Sequence, residues 1–178
     1  MLFLVVGPSG AGKDTLMAAA SNLLSGEKRV RFVRRVVTRA ANPDGEQHEP
    51  VTESEFARRE AAGGFALSWR AHGLRYGIPA DITLDLQAGR VVVANVSRAV
   101  VADAATRFDI RVLEVTASAD ILARRLAARG REDAVDVARR LSRAIELPMP
   151  APRDVIVNDG TVEAGARKML TPLRAALA

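Results

Sequence analysis

The tightest constraint on this chain is one short stretch, Gly7-Pro8-Ser9-Gly10-Ala11-Gly12-Lys13, set directly after the apolar run Leu2 to Val6. A short continuous apolar run that ends at glycine reads as a strand buried on both faces of a parallel sheet. Residues 15–24 then have helical composition and stop near Gly26. Between a strand and a helix, Gly-x-x-x-x-Gly-Lys lets backbone N–H groups turn inward around phosphates, and the helix N-terminus adds a favourable dipole. Gly7 to Thr15 are therefore expected to cradle the phosphates of ATP. Lys13 is placed to follow the charge as a phosphoryl group moves. Lysine occurs only at 13, 28 and 168 in a chain that otherwise prefers arginine, so its retention in this loop is notable.

One position departs from the usual pattern. The residue after the lysine is normally Ser or Thr, whose hydroxyl ligates Mg²⁺; here it is Asp14, followed by Thr15. A carboxylate is a good ligand for a hard cation, so Asp14 is the expected metal residue, directly or through water. Thr15 is the weaker alternative, because one step along a helix swings the side chain by ~100°.

The order of the remaining elements sets the fold class. Strands are expected at 29–37, 65–69, 91–96, 110–115 and 154–157. Thr52-Glu53-Ser54-Glu55 is a capping box that opens a helix ending at Gly63-Gly64. Residues 72–77 read as a turn or hairpin and 79–87 as a short helix. Further helices are expected between the strands at 91–96 and 110–115, at 118–128, at 133–147, and at 161–177 with a break or bend at Pro172. Alternation of this kind implies a parallel α/β sheet with helices on both faces. The stretch 33–80 breaks the alternation and reads as an inserted acceptor subdomain within a single domain.

Composition closes off other classes. With 48% hydrophobic and 26% charged residues the chain has the balance of an ordinary globular protein, and no apolar run approaches the ~20 residues of a membrane span. The absence of cysteine leaves neither a disulfide framework nor a thiolate site, which suits the cytoplasm. A net charge of +5 fits a site for several phosphates as well as it fits nucleic acid. Aromatics are 4% of the chain, too few for a base-stacking surface, so neither nucleic acid nor membrane is expected as a partner. The chain is expected as a monomer or homodimer.

The P-loop, Thr38-Arg39, Gly45-Glu46, Glu55-Phe56, Gly64-Phe65, His72-Gly73, Tyr76-Gly77, the arginine-rich segment 124–131 and Val155-Ile156-Val157-Asn158-Asp159 follow one another as in the guanylate kinase family, which the chain resembles. That resemblance implies a P-loop core, an acceptor subdomain and a mobile arginine lid, here about 124–147. Where the family has polar groups for guanine, this chain has Leu67 and Ile78. Asn42 replaces a second phosphate-binding arginine, and Asn95 the acidic end of the central strand. A site without polar partners for a base discriminates poorly in its favour, so GMP is a poor acceptor.

A second set of pieces points to another branch. Gly7 to Asp14, Thr38-Arg39, Glu46-x-His48, Ala66-Leu67-Ser68-Trp69-x-Ala71-x-Gly73-Leu74-x-Tyr76-Gly77 and Asn95-x-Ser97-Arg98 together resemble the ribose 1,5-bisphosphate phosphokinases of phosphonate catabolism, whose pattern includes the Asp after the lysine. The resemblance implies ATP-dependent conversion of ribose 1,5-bisphosphate to 5-phosphoribosyl 1-diphosphate (PRPP). A phosphate monoester is largely dianionic near neutral pH, its second pKa being about 6, so its oxygen attacks without a general base.

On this reading Arg39 holds an acceptor phosphate and Tyr76 reaches one through its hydroxyl. The resemblance adds Glu46 to the acceptor site. His48 and His72 are either substrate contacts or structural hydrogen-bonding residues, and Trp69 either covers the sugar or is a partly buried core indole. Asn95, Ser97 and Arg98 lie just past a strand's carboxyl end, where α/β sites form. Arg125, Arg129 and Arg131 are lid candidates, and Asn158 and Asp159 border the adenine pocket. Two alternatives stay open, a nucleoside-monophosphate kinase and a non-catalytic interaction module; the intact Lys13 and glycines argue against the second.

Overall fold

The structure is a computed structural model that describes residues 1–40, 47–127 and 151–178. Five strands, β1 (Leu2–Val6), β2 (Val30–Phe32), β7 (Val91–Asn95), β8 (Ile110–Thr116) and β9 (Arg153–Val157), form a parallel sheet in the order β2-β7-β1-β8-β9. A second sheet has the order β4-β3-β6-β5, from β3 (Val36–Val37), β4 (Glu49–Pro50), β5 (Phe65–Ala71) and β6 (Leu74–Pro79). The helices are α1 (Lys13–Leu23), α2 (Glu53–Ala61), α3 (Ile82–Gln87), α4 (Val101–Arg107), α5 (Ala119–Ala127) and α6 (Val162–Ala175). A one-turn 3-10 helix, Arg98–Val100, leads into α4.

The apolar run of β1 explains the layering. All its residues are fully buried, but alternate side chains enter different cores. Phe3 and Val5 pack with Leu16 and Met17 of α1, Leu122 of α5 and Met169 of α6. Leu2, Leu4 and Val6 pack with Ile82 of α3, Val101 and Ala104 of α4, and Leu67 and Ile78 of the second sheet. The central sheet is thus covered on both faces, which is why its strands read as continuous apolar runs.

Two local signals act as the sequence suggests. Thr52 caps α2, its Oγ1 accepting from Glu55 N at 3.2 Å, although the Glu55 carboxylate turns to Arg58 and Arg59 rather than completing the box. His72 (φ 52°) and Gly73 (φ 71°) form the two-residue turn that joins β5 to β6.

The expected strand 29–37 is instead two strands in different sheets. Val33 N still bonds Val93 O at 2.9 Å, whereas Val36 and Val37 pair with Gly77 and Tyr76. Alternating Val and Arg carries no turn residue, so the change of sheet leaves no local mark. α6 runs unbroken through Pro172. The helix expected at 133–147 lies outside the described residues.

Asp85 of α3 ties the layers together. It accepts from Arg31 of β2 at 2.6 Å and from Arg90, beside β7, at 2.8 Å. Burial, the largest single influence, pushes its carboxyl up, yet the hydrogen bonds from Arg31 and Arg90 outweigh it and hold the group below its ordinary value. A depressed folded-state pKa stabilises the fold above the ordinary Asp range and loses that contribution as pH falls. Asp85→Ala is expected to cost about 2 kcal/mol at pH 7 in urea unfolding. The gap from the parent protein should narrow below about pH 4. A gap independent of pH would contradict the ion-pair account.

Candidate active site

The loop between β1 and α1 is fixed by close backbone approach. Gly7 (φ 145°) lies so near β8 that a Cβ there would sit 1.9 Å from Val115 O. Gly12 (φ 87°) is the N-cap of α1 and makes no side-chain cap hydrogen bond, so the first-turn N–H groups open toward the loop. Such a terminus is an anion site. Lys13 Nζ donates to Gly7 O at 2.8 Å and Pro8 O at 3.0 Å, which holds the ammonium across the loop.

Asn158, just past β9, braces the loop from behind. Its Nδ2 donates to Ala11 O at 2.8 Å, and its backbone N donates to Thr116 O at 2.7 Å. Arg125 of α5 donates to Asn158 O at 3.0 Å and reaches Gly10 O at 3.5 Å. Asp159 accepts from Ser118 N at 2.7 Å, which fixes the start of α5. These residues therefore meet the P-loop from its α5 and β9 side.

At the mouth of the loop, Asn95 Nδ2 donates to Asp14 Oδ1 at 2.6 Å. A carboxylate only accepts, so the amide orientation is settled, and Asn95 Oδ1 is left buried without a hydrogen-bond partner. β1 and β7 pair with Val5 opposite Asn95, so the strand register places the amide there. A carboxylate oxygen and an orphaned amide oxygen beside a phosphate site are hard donors, and they fit Mg²⁺.

A cleft of about 510 Å³ joins this loop to the second sheet. Along with the loop from Gly7 to Thr15, it is lined by Arg35, Arg39, Trp69, His72, Tyr76, Asn95, Ser97 and Arg98. Ala11 is fully buried beneath the loop instead. Trp69 and Tyr76 are cross-strand neighbours whose rings stack at 5.3 Å and 7°. His48, 3% exposed, stands behind the cleft wall. Its Nε2 is 3.1 Å from Arg39 O and its Nδ1 is 3.4 Å from Arg39 Nη2. A proton on Nε2 satisfies both contacts, so His48 grips Arg39 at backbone and side chain. Arg98 pairs with Glu114 of β8, which also takes Arg153 at 3.0 Å. Ser97 caps the 3-10 turn through Ala99 N at 3.3 Å. Glu46, Arg129 and Arg131 lie outside the described residues.

Leu67 (2% exposed) and Ile78 (0%) do not line the cleft; they belong to the core under the central sheet. Arg35 does line it, and sequence reasoning missed it. No local signal marks it, since Arg35 and Arg39 reach the same cleft from either side of the two-residue strand β3.

No protein-family model matches the chain. Curated relatives do. The ribose 1,5-bisphosphate phosphokinase PhnN of Acidiphilium cryptum (strain JF-5) is 53% identical over 169 residues, covering 95% of this chain and 90% of that protein. Its namesake from Agrobacterium fabrum (strain C58) is 45% identical over 176 residues, covering 97% and 96%. The bifunctional ribose 1,5-bisphosphokinase-thymidine phosphorylase of Cupriavidus necator (strain H16) is 49% identical over 174 residues, of which this chain spans only 29% of the length. Among solved structures, guanylate kinase from Anaplasma phagocytophilum superposes with a TM-score of 0.72 at 19% identity, over 98% of this chain and 85% of that one, a likeness of fold. On a guanylate kinase-like α/β fold, the chain belongs to the ribose 1,5-bisphosphate phosphokinase family.

Proposed function

We propose that the chain transfers the γ-phosphoryl group of ATP to the 1-phosphate of ribose 1,5-bisphosphate, giving PRPP and ADP. The observation that carries this reading is a cleft where the P-loop faces Arg39, Tyr76 and Arg98, while the positions that would read a base are shut in the core. A 1-phosphate oxygen attacks the γ-phosphorus in line, the bond from that phosphorus to the β-bridging oxygen breaks, and ADP leaves with the electron pair. No proton needs removing from a dianionic monoester, so the residues present only position and neutralise charge. Mg²⁺, which Asp14 would hold beside Asn95, would supply further charge neutralisation to the transferred phosphate.

Within this reading Lys13 and the loop N–H groups hold the donor phosphates, and Asp14, oriented by Asn95, is the protein's ligand to the metal. Arg39, held by His48, and Arg98, held by Glu114, face the acceptor. Arg125 and Asn158 keep the loop in shape beside the adenine, and residues 33–80 serve as the acceptor subdomain of a single domain. The setting is cytoplasmic, in phosphonate catabolism or another supply of PRPP. Guanylate kinase activity is the second reading, favoured by fold likeness alone.

Steady-state comparison of acceptors under identical ATP–Mg²⁺ tests the reading. Ribose 1,5-bisphosphate is expected to give the higher kcat/KM by orders of magnitude, because positions 67 and 78 offer no polar partner to a guanine and each polar group left unpaired costs roughly 1–3 kcal/mol. A higher value for GMP would overturn the acceptor and leave a kinase.

Lys13→Ala should fold normally and lose about 3 kcal/mol or more of transition-state stabilisation. Near-normal turnover in a pure sample would remove Lys13 from the mechanism. Asp14→Ala should weaken metal affinity more than nucleotide affinity, and Asp14→Ser should partly restore it. Titrating the ATP complex with Mn²⁺ by electron paramagnetic resonance reads this without turnover. An unchanged metal affinity would hand the role to Thr15 or to water.

A further inference from the structure

Arg35 has no part in the resemblance that identifies the other acceptor residues, yet it lines the same cleft. β3 and β6 pair with Val37 opposite Tyr76, and β6 and β5 pair with Tyr76 opposite Trp69. Directly opposed residues share a face of an antiparallel sheet, and Tyr76 and Trp69 both line the cleft, with Val37 buried beside them. Arg35 lies two residues before Val37 and Arg39 two after it, and both line the cleft. The Arg35 guanidinium carbon sits 5.2 Å from the centroid of the Tyr76 ring, on a ring already stacked against Trp69. Cation–π attraction seats a guanidinium on such a ring, and the planar group is suited to bidentate pairing with a phosphate.

The chemistry of that surface is unsuited to a base. Leu67 and Ile78 are enclosed in the core, so no neutral polar group is offered from those positions. A phosphate matches the planar fork of a guanidinium with two charge-assisted hydrogen bonds, which an uncharged ring cannot offer. Lys13, at the start of α1, and Arg98, in the 3-10 turn after β7, stand at the P-loop end of the cleft, where the reacting phosphate must approach to within ~3–3.5 Å of its target. Arg35 and Arg39 flank β3 of the second sheet.

Resting on the acceptor reading above, we propose that Arg35 is the specificity-determining residue of the acceptor site. Together with Arg39, and seated on the Tyr76–Trp69 stack, it holds the non-reacting 5-phosphate of ribose 1,5-bisphosphate.

Calorimetric titration with ribose 5-phosphate, which carries that phosphate and not the other, tests the assignment without turnover. Arg35→Gln should weaken ribose 5-phosphate by at least ~10-fold and leave a non-hydrolysable ATP analogue within about twofold. Arg35→Lys should fall between, because charge survives and the bidentate fork does not. Melting curves matching the parent protein certify the variants, and Arg35→Lys decides the matter if Arg35→Gln does not fold. Unchanged ribose 5-phosphate affinity, no measurable binding of it by the parent protein, or equal loss of both ligands would overturn the role of Arg35. Failure of the parent protein to phosphorylate ribose 1,5-bisphosphate would sink the acceptor reading separately, and the titration would still judge whether Arg35 binds a phosphate monoester.

Discussion

The backbone of Gly7 touches the backbone of β8 at a distance that no side chain would survive, and the rest of the site depends on that contact. It seats the loop on the carboxyl end of the parallel sheet, between β1 and β8. Asn158 then ties Ala11 down from the end of β9, so close beneath Gly12 that a Cβ there would fall 2.6 Å from its amide nitrogen. Arg125 adds one hydrogen bond to the loop, at Gly10 O, and another to Asn158 O. With the loop fixed from three elements, the first turn of α1, Lys13 and Asp14 have defined positions before any ligand arrives. Such preorganisation is what electrostatic catalysis of phosphoryl transfer requires.

The core on the other face of the central sheet shapes acceptor choice. One layer under the central sheet is built in part from Leu67 and Ile78, so the second sheet is anchored by apolar residues on its inward face. The polar members of that face are displaced toward the cleft, where Trp69 and Tyr76 present aromatic surface and Arg35 and Arg39 present charge. A guanylate kinase-like frame thus carries a site suited to anions at both ends of a small acceptor. Fold likeness at 19% identity speaks to the frame; identities of 45–53% along nearly the whole chain speak to the branch.

Much of this was legible in the sequence, and the reasons are specific. Leu2 to Val6 had to be a doubly buried strand, and Gly7 to Lys13 had to be a turn around an anion, because few other conformations suit those residues. Thr52 at the start of α2 and Gly73 in the hairpin announced themselves by local chemistry. What the sequence hid depends on tertiary contacts. Nothing local marks the switch of sheet between Phe32 and Val36. The Asp14–Asn95 hydrogen bond joins residues brought together only by the pairing of β1 with β7. Arg125 and Asn158 also hold the loop through the carbonyl oxygens of Gly10 and Ala11, contacts that no motif describes. His48 gripping Arg39 is likewise a consequence of β4 returning beside β3.

Central to this account is that a phosphate already on carbon 1 of the sugar is the nucleophile, with the 5-phosphate held aside. Phosphorus NMR of the product formed from ribose 1,5-bisphosphate and ATP–Mg²⁺ tests this most directly. A new pair of coupled diphosphate resonances attached to carbon 1, with the 5-phosphate still a monoester, is the expected spectrum. A diphosphate built on carbon 5, or release of inorganic phosphate with both monoesters intact, would contradict it.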